Sequence, residues 1–90
     1  MTIADTLRAK LTTALTPTRL EITDDSGRHH GHAGANPAGE SHFSITIVSD
    51  RFAGQPRVSR HRMVYEALAV ELAGRVHALC LKTLAPSEEA

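Results

Sequence analysis

Six histidines share a 90-residue chain with a single cysteine, Cys80, and three of them are packed into His29-His30-Gly31-His32. Imidazole is a common metal ligand and a group that titrates near neutral pH. A metal site here must therefore lean on nitrogen rather than sulfur. One thiol cannot complete a four-cysteine iron–sulfur or zinc site within the chain, so a cluster bound by these histidines would need donors from a partner. Other reactive constellations are missing. Ser26, Ser41, Ser44, Ser49, Ser59 and Ser87 include none in a Gly-x-Ser-x-Gly elbow. Carboxylates pair only as neighbours, Asp24-Asp25 and Glu88-Glu89, a spacing that defines no acid/base couple. The residues indicate no enzyme.

Taken singly, the histidines divide. His29, His30 and His32 sit in a glycine-rich stretch that presents imidazoles without a packing penalty, either as ligands or as an exposed polar loop. His42 opens an alternating segment and suits a structural hydrogen bond. His77 stands before the apolar run Ala78-Leu79-Cys80-Leu81, where a satisfied core residue and a ligand both fit the pattern. Cys80 reads as a small buried hydrophobe.

A second cluster is basic: Arg57, Arg60, His61 and Arg62 crowd the start of a helical segment. The positive end of a helix dipole disfavours cations there, and a broken local rule often marks a functional site. One reading is a contact to phosphate or an acidic partner, because arginine forks match both groups. The other is a solvated face whose cations pair with Asp24, Asp25 or Glu66, an arrangement worth little energy. Nucleic-acid binding gains no aromatic platform and no GxxG loop from this sequence.

The elements that must position these residues follow from periodicity. Ile3, Leu7, Leu11 and Leu15 form the stripe of an amphipathic helix with Thr2 as N-cap, ended by Thr16 because Pro17 follows. Leu20 and Ile22 alternate with polar residues as a first strand. Asp24 to Ser41 is a loop longer than compact domains usually leave unstructured, which marks it as functional or locally disordered. Phe43, Ile45 and Ile47 restart the alternation, antiparallel to the first strand. Ser49 to Pro56 connects, anchored by Phe52. From Arg57 the helical period returns through Val64, Ala67, Leu68 and Leu72, with Gly74 at the C′ position. Val76 to Leu84 is a third strand, apolar on both faces and so expected to be covered on both. Residues 86–90 form a polar tail with one helical turn. The order α-β-β-α-β predicts a single α+β domain over residues 1–90, with helices on one face of a small three-stranded mixed sheet.

Composition bounds the rest. Ninety residues support one core, and with only Phe43, Phe52 and Tyr65 aromatic it must be built from Leu, Ile, Val and Ala. Lysine plus arginine and aspartate plus glutamate number 10 each, for a net charge of zero, so no global field draws the chain to nucleic acid or to an anionic membrane. The lone cysteine fits a reducing compartment. The first residues lack the apolar run of a signal peptide, and no stretch has the ~18 apolar residues of a membrane span. A cytoplasmic protein is the expectation.

Several motifs in order resemble the BolA family: Leu20-Glu21-Ile22-x-Asp24-Asp25-Ser26, His29-x-Gly31-His32-Ala33-Gly34, Ser41-His42-Phe43, Val48-Ser49-x-x-Phe52-x-Gly54, Arg60-His61-Arg62-x-Val64-Tyr65 and Val76-His77-Ala78-Leu79. The resemblance runs from about Ile3 to Pro86. It implies a fold similar to the class II KH arrangement. It also implies a heterodimer with a monothiol, CGFS-type glutaredoxin around a bridging [2Fe–2S] cluster. The glutaredoxin then brings its cysteine and a bound glutathione a second thiolate, with no cofactor in the isolated chain. The resemblance assigns His77 as one ligand and His29 in the loop as the other, with His32 as the alternative. BolA-like proteins have also been viewed as DNA-binding transcriptional regulators linked to stress response. That makes DNA a competing partner for the basic helix Arg57–Leu72, with Arg57, Arg60, His61 and Arg62 as contacts, and leaves an apo homodimer open.

Overall fold

The computed structural model describes residues 2–24, 42–74, 76 and 78–89. Helix α1 (Ile3–Leu15) begins as expected at Thr2, whose hydroxyl accepts from the Asp5 N–H at 3.0 Å while the Asp5 carboxylate accepts from the Thr2 N–H at 3.1 Å. This reciprocal pair satisfies two N–H groups that a helix start leaves without partners. It also holds the Asp5 carboxyl below its usual range. Thr16 closes the helix in the left-handed region (φ 41°), the one non-glycine residue with positive φ among the described residues.

Strand β1 (Arg19–Asp24) runs antiparallel to β2 (His42–Val48), and β3 (Ala78–Leu84) runs parallel to β2, giving the sheet order β1-β2-β3. The sheet is mixed and three-stranded, as the alternation and the crossover helix require. A 3₁₀ turn (Asp50–Phe52) leads from β2 to helix α2 (Arg57–Ala67), followed by the short α3 (Ala69–Ala73). A second 3₁₀ turn (Pro86–Glu88) follows β3.

The described helices cover one sheet face. Leu7, Leu11 and Leu15 of α1 with Val64 and Leu68 meet Phe43, Ile45 and Ile47 of β2, and Phe52 and Val76 complete the core. Ser49 joins three elements at the far end of the sheet. It is fully buried, donates its hydroxyl to the Leu15 carbonyl at 2.6 Å and receives the Arg51 N–H at 3.1 Å, while its own N–H reaches the Leu84 carbonyl.

Four expectations need correction. Strand β3 is covered on one face, not two: Leu79, Leu81 and Thr83 turn toward the helices, whereas Ala78, Cys80 and Lys82 are exposed. Cys80 is therefore an exposed thiol rather than a buried hydrophobe. Small apolar residues mimic a buried run without needing cover, and no helix among the described residues lies on the second face. The second long helix is interrupted at Leu68 (φ −109°, ψ 21°), although bonds from Leu68 to Val64 and from Leu72 to Leu68 carry the ladder across. Gly74 caps α3 at φ −115°, outside the left-handed region, so the expected C′ glycine geometry is not used. The Glu71 carbonyl instead accepts both the Gly74 and Val76 N–H groups, turning the chain back to the sheet.

Candidate functional site

His77, His29 and the alternative His32 lie outside the described residues, as do His30 and Asp25. The described residues that flank the loop, Asp24 and His42, and those on either side of position 77, Val76 and Ala78, converge. Asp24, where β1 ends, pairs with Phe43, and His42, where β2 begins, pairs with Ala78, where β3 begins. The end of β1, the start of β2 and the start of β3 thus lie together at one end of the sheet. Val76, 2% exposed, fixes the approach: its N–H donates to the Glu71 carbonyl, and the Glu71 carboxylate is tied to Lys10 of α1 at 2.7 Å. Among the described residues no group of three or more histidine, cysteine, aspartate or glutamate side chains could hold a metal ion. Cys80, two residues into β3, shares the open face with Lys82 and supplies no thiol pair. Of the described histidines, His42 lies at this sheet end, with Asp24 beside it at the end of β1.

The basic cluster is better defined, and it splits. Helix α2 starts at Pro56 with no side-chain cap and no acidic residue in its first turn. Arg60 turns inward. Its Nε donates to the Gln55 carbonyl at 2.8 Å, Nη1 to the Thr83 carbonyl at 3.2 Å, and Nη1 and Nη2 form a fork on the Glu88 carboxylate at 2.6 and 2.9 Å. The Glu88 Oε1 also accepts the Ala85 N–H at 2.9 Å. Arg60 and the Ala85 amide together push the Glu88 carboxyl down to about 2. An acid from the tail thereby supplies the negative charge that the first turn of α2 lacks. Neither Asp24 nor Glu66 fills this role.

Arg57, His61 and Arg62 stay together around a shallow groove with Val58 and Tyr65, which are 65% and 42% exposed. Arg57 and Arg62 are exposed, and the His61 Nε2 is buried with no hydrogen-bond partner among the described residues. Of the four residues singled out by sequence, three therefore share a surface and the fourth supports it from behind. Glu88 was missed because it lies 28 residues from Arg60 in a segment read as a polar tail. The available signal was Pro86 followed by Glu88, the proline-then-acid pattern of a helix start.

The comparisons with known proteins agree with this fold. A family model described as BolA-like protein matches residues 11–88. BolA-like protein 1 of Mus musculus is 48% identical over 83 residues, covering 91% of this chain; the match spans only 57% of the length of that relative. The Escherichia coli protein named DNA-binding transcriptional regulator BolA is 47% identical over 83 residues, covering 92% of this chain and 75% of its own. The solved structure of BolA1 from Arabidopsis thaliana superposes with a TM-score of 0.87 at 38% identity, over 100% of this chain and 99% of that one.

Proposed function

This chain belongs to the BolA-like protein family, and from that premise we propose that it pairs with a monothiol glutaredoxin to share a [2Fe–2S] cluster. Its role would lie in iron–sulfur cluster transfer or in iron- and redox-linked regulation, without catalysis. The observation that supports the reading is the convergence of the flanking residues at one sheet end: Asp24 and His42, on either side of the histidine-rich segment, and Ala78, which follows His77 in sequence, lie at the same edge. His77 and His29, or His32 in its place, are the proposed ligands from this chain. Glutathione and the glutaredoxin cysteine would provide the thiolates, which meets the shortage of sulfur here.

When bound, such a cluster supplies a one-electron couple, and imidazole ligation raises its potential above that of an all-thiolate centre. The residues of this chain present neutral imidazole nitrogen and withdraw it on protonation, so cluster retention should fall as pH drops through the histidine range. Lys10 and Glu71 hold α1 against α3 and, through the Val76 amide, set where the chain returns to the sheet. The lone thiol fits a reducing compartment, and we assign the protein to the cytoplasm. No helix among the described residues is long and apolar enough to cross a membrane.

The test is reconstitution. Mixing the chain with a monothiol glutaredoxin, glutathione, iron and sulfide should yield a coloured heterodimer by gel filtration. A glutaredoxin homodimer that retains all the cluster and excludes this chain would contradict the proposal.

A second reading, DNA binding, is favoured by the name of the Escherichia coli relative and by the exposed Arg57 and Arg62 of α2. The Arg60 fork is engaged by Glu88, so phosphate contacts would fall to Arg57 and Arg62. DNA affinity should then drop steeply with salt and be lost in the Arg57→Ala, Arg62→Ala double variant. Binding insensitive to both would exclude this reading.

A further inference from the structure

Between the start of α2 and the end of β3 lies a cavity of about 400 Å³ lined by Gln55, Arg57, Arg60, Thr83, Leu84 and Glu88. One lining group has no structural explanation. Thr83 is 5% exposed, yet its hydroxyl is buried with no hydrogen-bond partner among the described residues. Buried polar atoms are nearly always paired, and an orphan calls for a missing partner. A hydroxyl beside cations is suited to donate to an anion.

The surroundings point the same way. Arg57 makes no hydrogen bond or ion pair among the described residues, and its charge reaches Glu88. Helix α2 is eleven residues long and begins without a side-chain cap; the Ser59 and Arg60 N–H groups donate to the Pro56 carbonyl, which leaves those of Arg57 and Val58 at the positive end of the dipole. The Glu88 carboxyl is held down chiefly by its hydrogen bonds from Arg60 and the Ala85 N–H, with the charges of Arg60 and Arg57 adding to them. Four of the five N–H donors of Arg60 are engaged with Gln55, Thr83 and Glu88, so it contributes charge more than free donors.

We propose that this cavity binds a small tetrahedral oxyanion, inorganic phosphate being its simplest form, through the Arg57 side chain, the Thr83 hydroxyl and the backbone N–H groups that Arg57 and Val58 leave at the start of α2. Glu88 is the built-in competitor, a carboxylate already seated on the same cationic patch. The site is independent of the histidines and of any cluster. A phosphodiester backbone offers the same chemistry, so the test separates the two sources.

The experiment compares the full chain in sodium phosphate and in sodium chloride at matched pH and ionic strength, by thermal denaturation and by calorimetric titration with phosphate. Phosphate should raise the melting temperature saturably and chloride should not. Loss of one hydrogen bond or cation to the anion should weaken phosphate binding about tenfold or more in Thr83→Val and in Arg57→Gln. Glu88→Gln should tighten it. In phosphate-free buffer Thr83→Val should be at least as stable as wild type, because it removes an unpaired buried hydroxyl. Should Thr83→Val fold poorly, the solvent-exposed Arg57→Gln decides. No saturable effect of phosphate, or an effect unchanged in Arg57→Gln, overturns the proposal. So does protection by duplex DNA alone, which would assign the cavity to a nucleic-acid backbone.

Discussion

Ser49 is where α1, the 3₁₀ turn and β3 are tied together, and Ser49→Ala isolates the hydroxyl link between α1 and the turn while keeping the backbone bond to β3. The side chain is fully buried, donates to the Leu15 carbonyl at 2.6 Å and accepts the Arg51 N–H at 3.1 Å. Leu15 ends α1, so its carbonyl is one of those a helix leaves without an internal partner. Alanine withdraws the donor from that carbonyl, at about 1–3 kcal/mol for an unsatisfied buried group. It also removes the cap on the 3₁₀ turn, worth about 1 kcal/mol. The two overlap, because a smaller apolar side chain recovers part of the loss, and a net cost of about 2–3 kcal/mol is expected. For a domain of this size that lowers the melting temperature by about 8–24 °C. Thermal denaturation by circular dichroism measures it directly. A drop below about 3 °C would mean that the Ser49 hydroxyl does not hold α1 to the turn, whichever partner binds.

The other predictions concern the tail, the thiol and the basic helix. Glu88 is depressed from 4.5 to about 2 by the Arg60 fork and the Ala85 N–H, so its stabilising contribution is complete above about 4.5 and fades as pH falls toward about 2. The stability gap between wild type and Glu88→Gln should be constant at neutral pH and close across that acid window; a gap independent of pH would show that the pair contributes nothing. Cys80 is exposed, so an aromatic disulfide reagent should modify it in the native protein as fast as in denaturant, and Cys80→Ser should change stability by no more than about 0.5 kcal/mol. Protection of the thiol would restore the covered-strand reading of β3. Arg60→Lys should be markedly destabilising, since an ammonium cannot bridge Gln55, Thr83 and both Glu88 oxygens, while Arg62→Lys on the open groove should leave the melting temperature nearly unchanged.

Much of the architecture is legible in local chemistry. Thr2 and Asp5 spell a helix start, Pro17 an end, and the alternation through Leu20, Ile22, Phe43, Ile45 and Ile47 defines the face on which α1 packs. What local pattern cannot reveal is how many layers cover the sheet. Ala78 and Cys80 count as apolar in a run, but their small side chains tolerate solvent, so β3 looked covered on both faces. The basic cluster is visible as a cluster, yet which arginine turns inward depends on Glu88, brought across by the crossover from α2 to β3 and by the turn at Pro86. The orphan Thr83 hydroxyl is invisible in sequence, because it is defined by what fails to reach it. His77 is a different case: its residue pattern suits core and ligand equally, and only the resemblance to BolA-like proteins singles it out.

The most direct test of the central claim is the absorption and circular dichroism spectrum of the reconstituted heterodimer with His77→Ala, compared with wild type, His29→Ala and His32→Ala. The account predicts that His77→Ala alters the visible bands and loosens the cluster while the apo chains still associate, and that one of the two loop variants does the same. A His77→Ala heterodimer with the wild-type spectrum and cluster lifetime would contradict it.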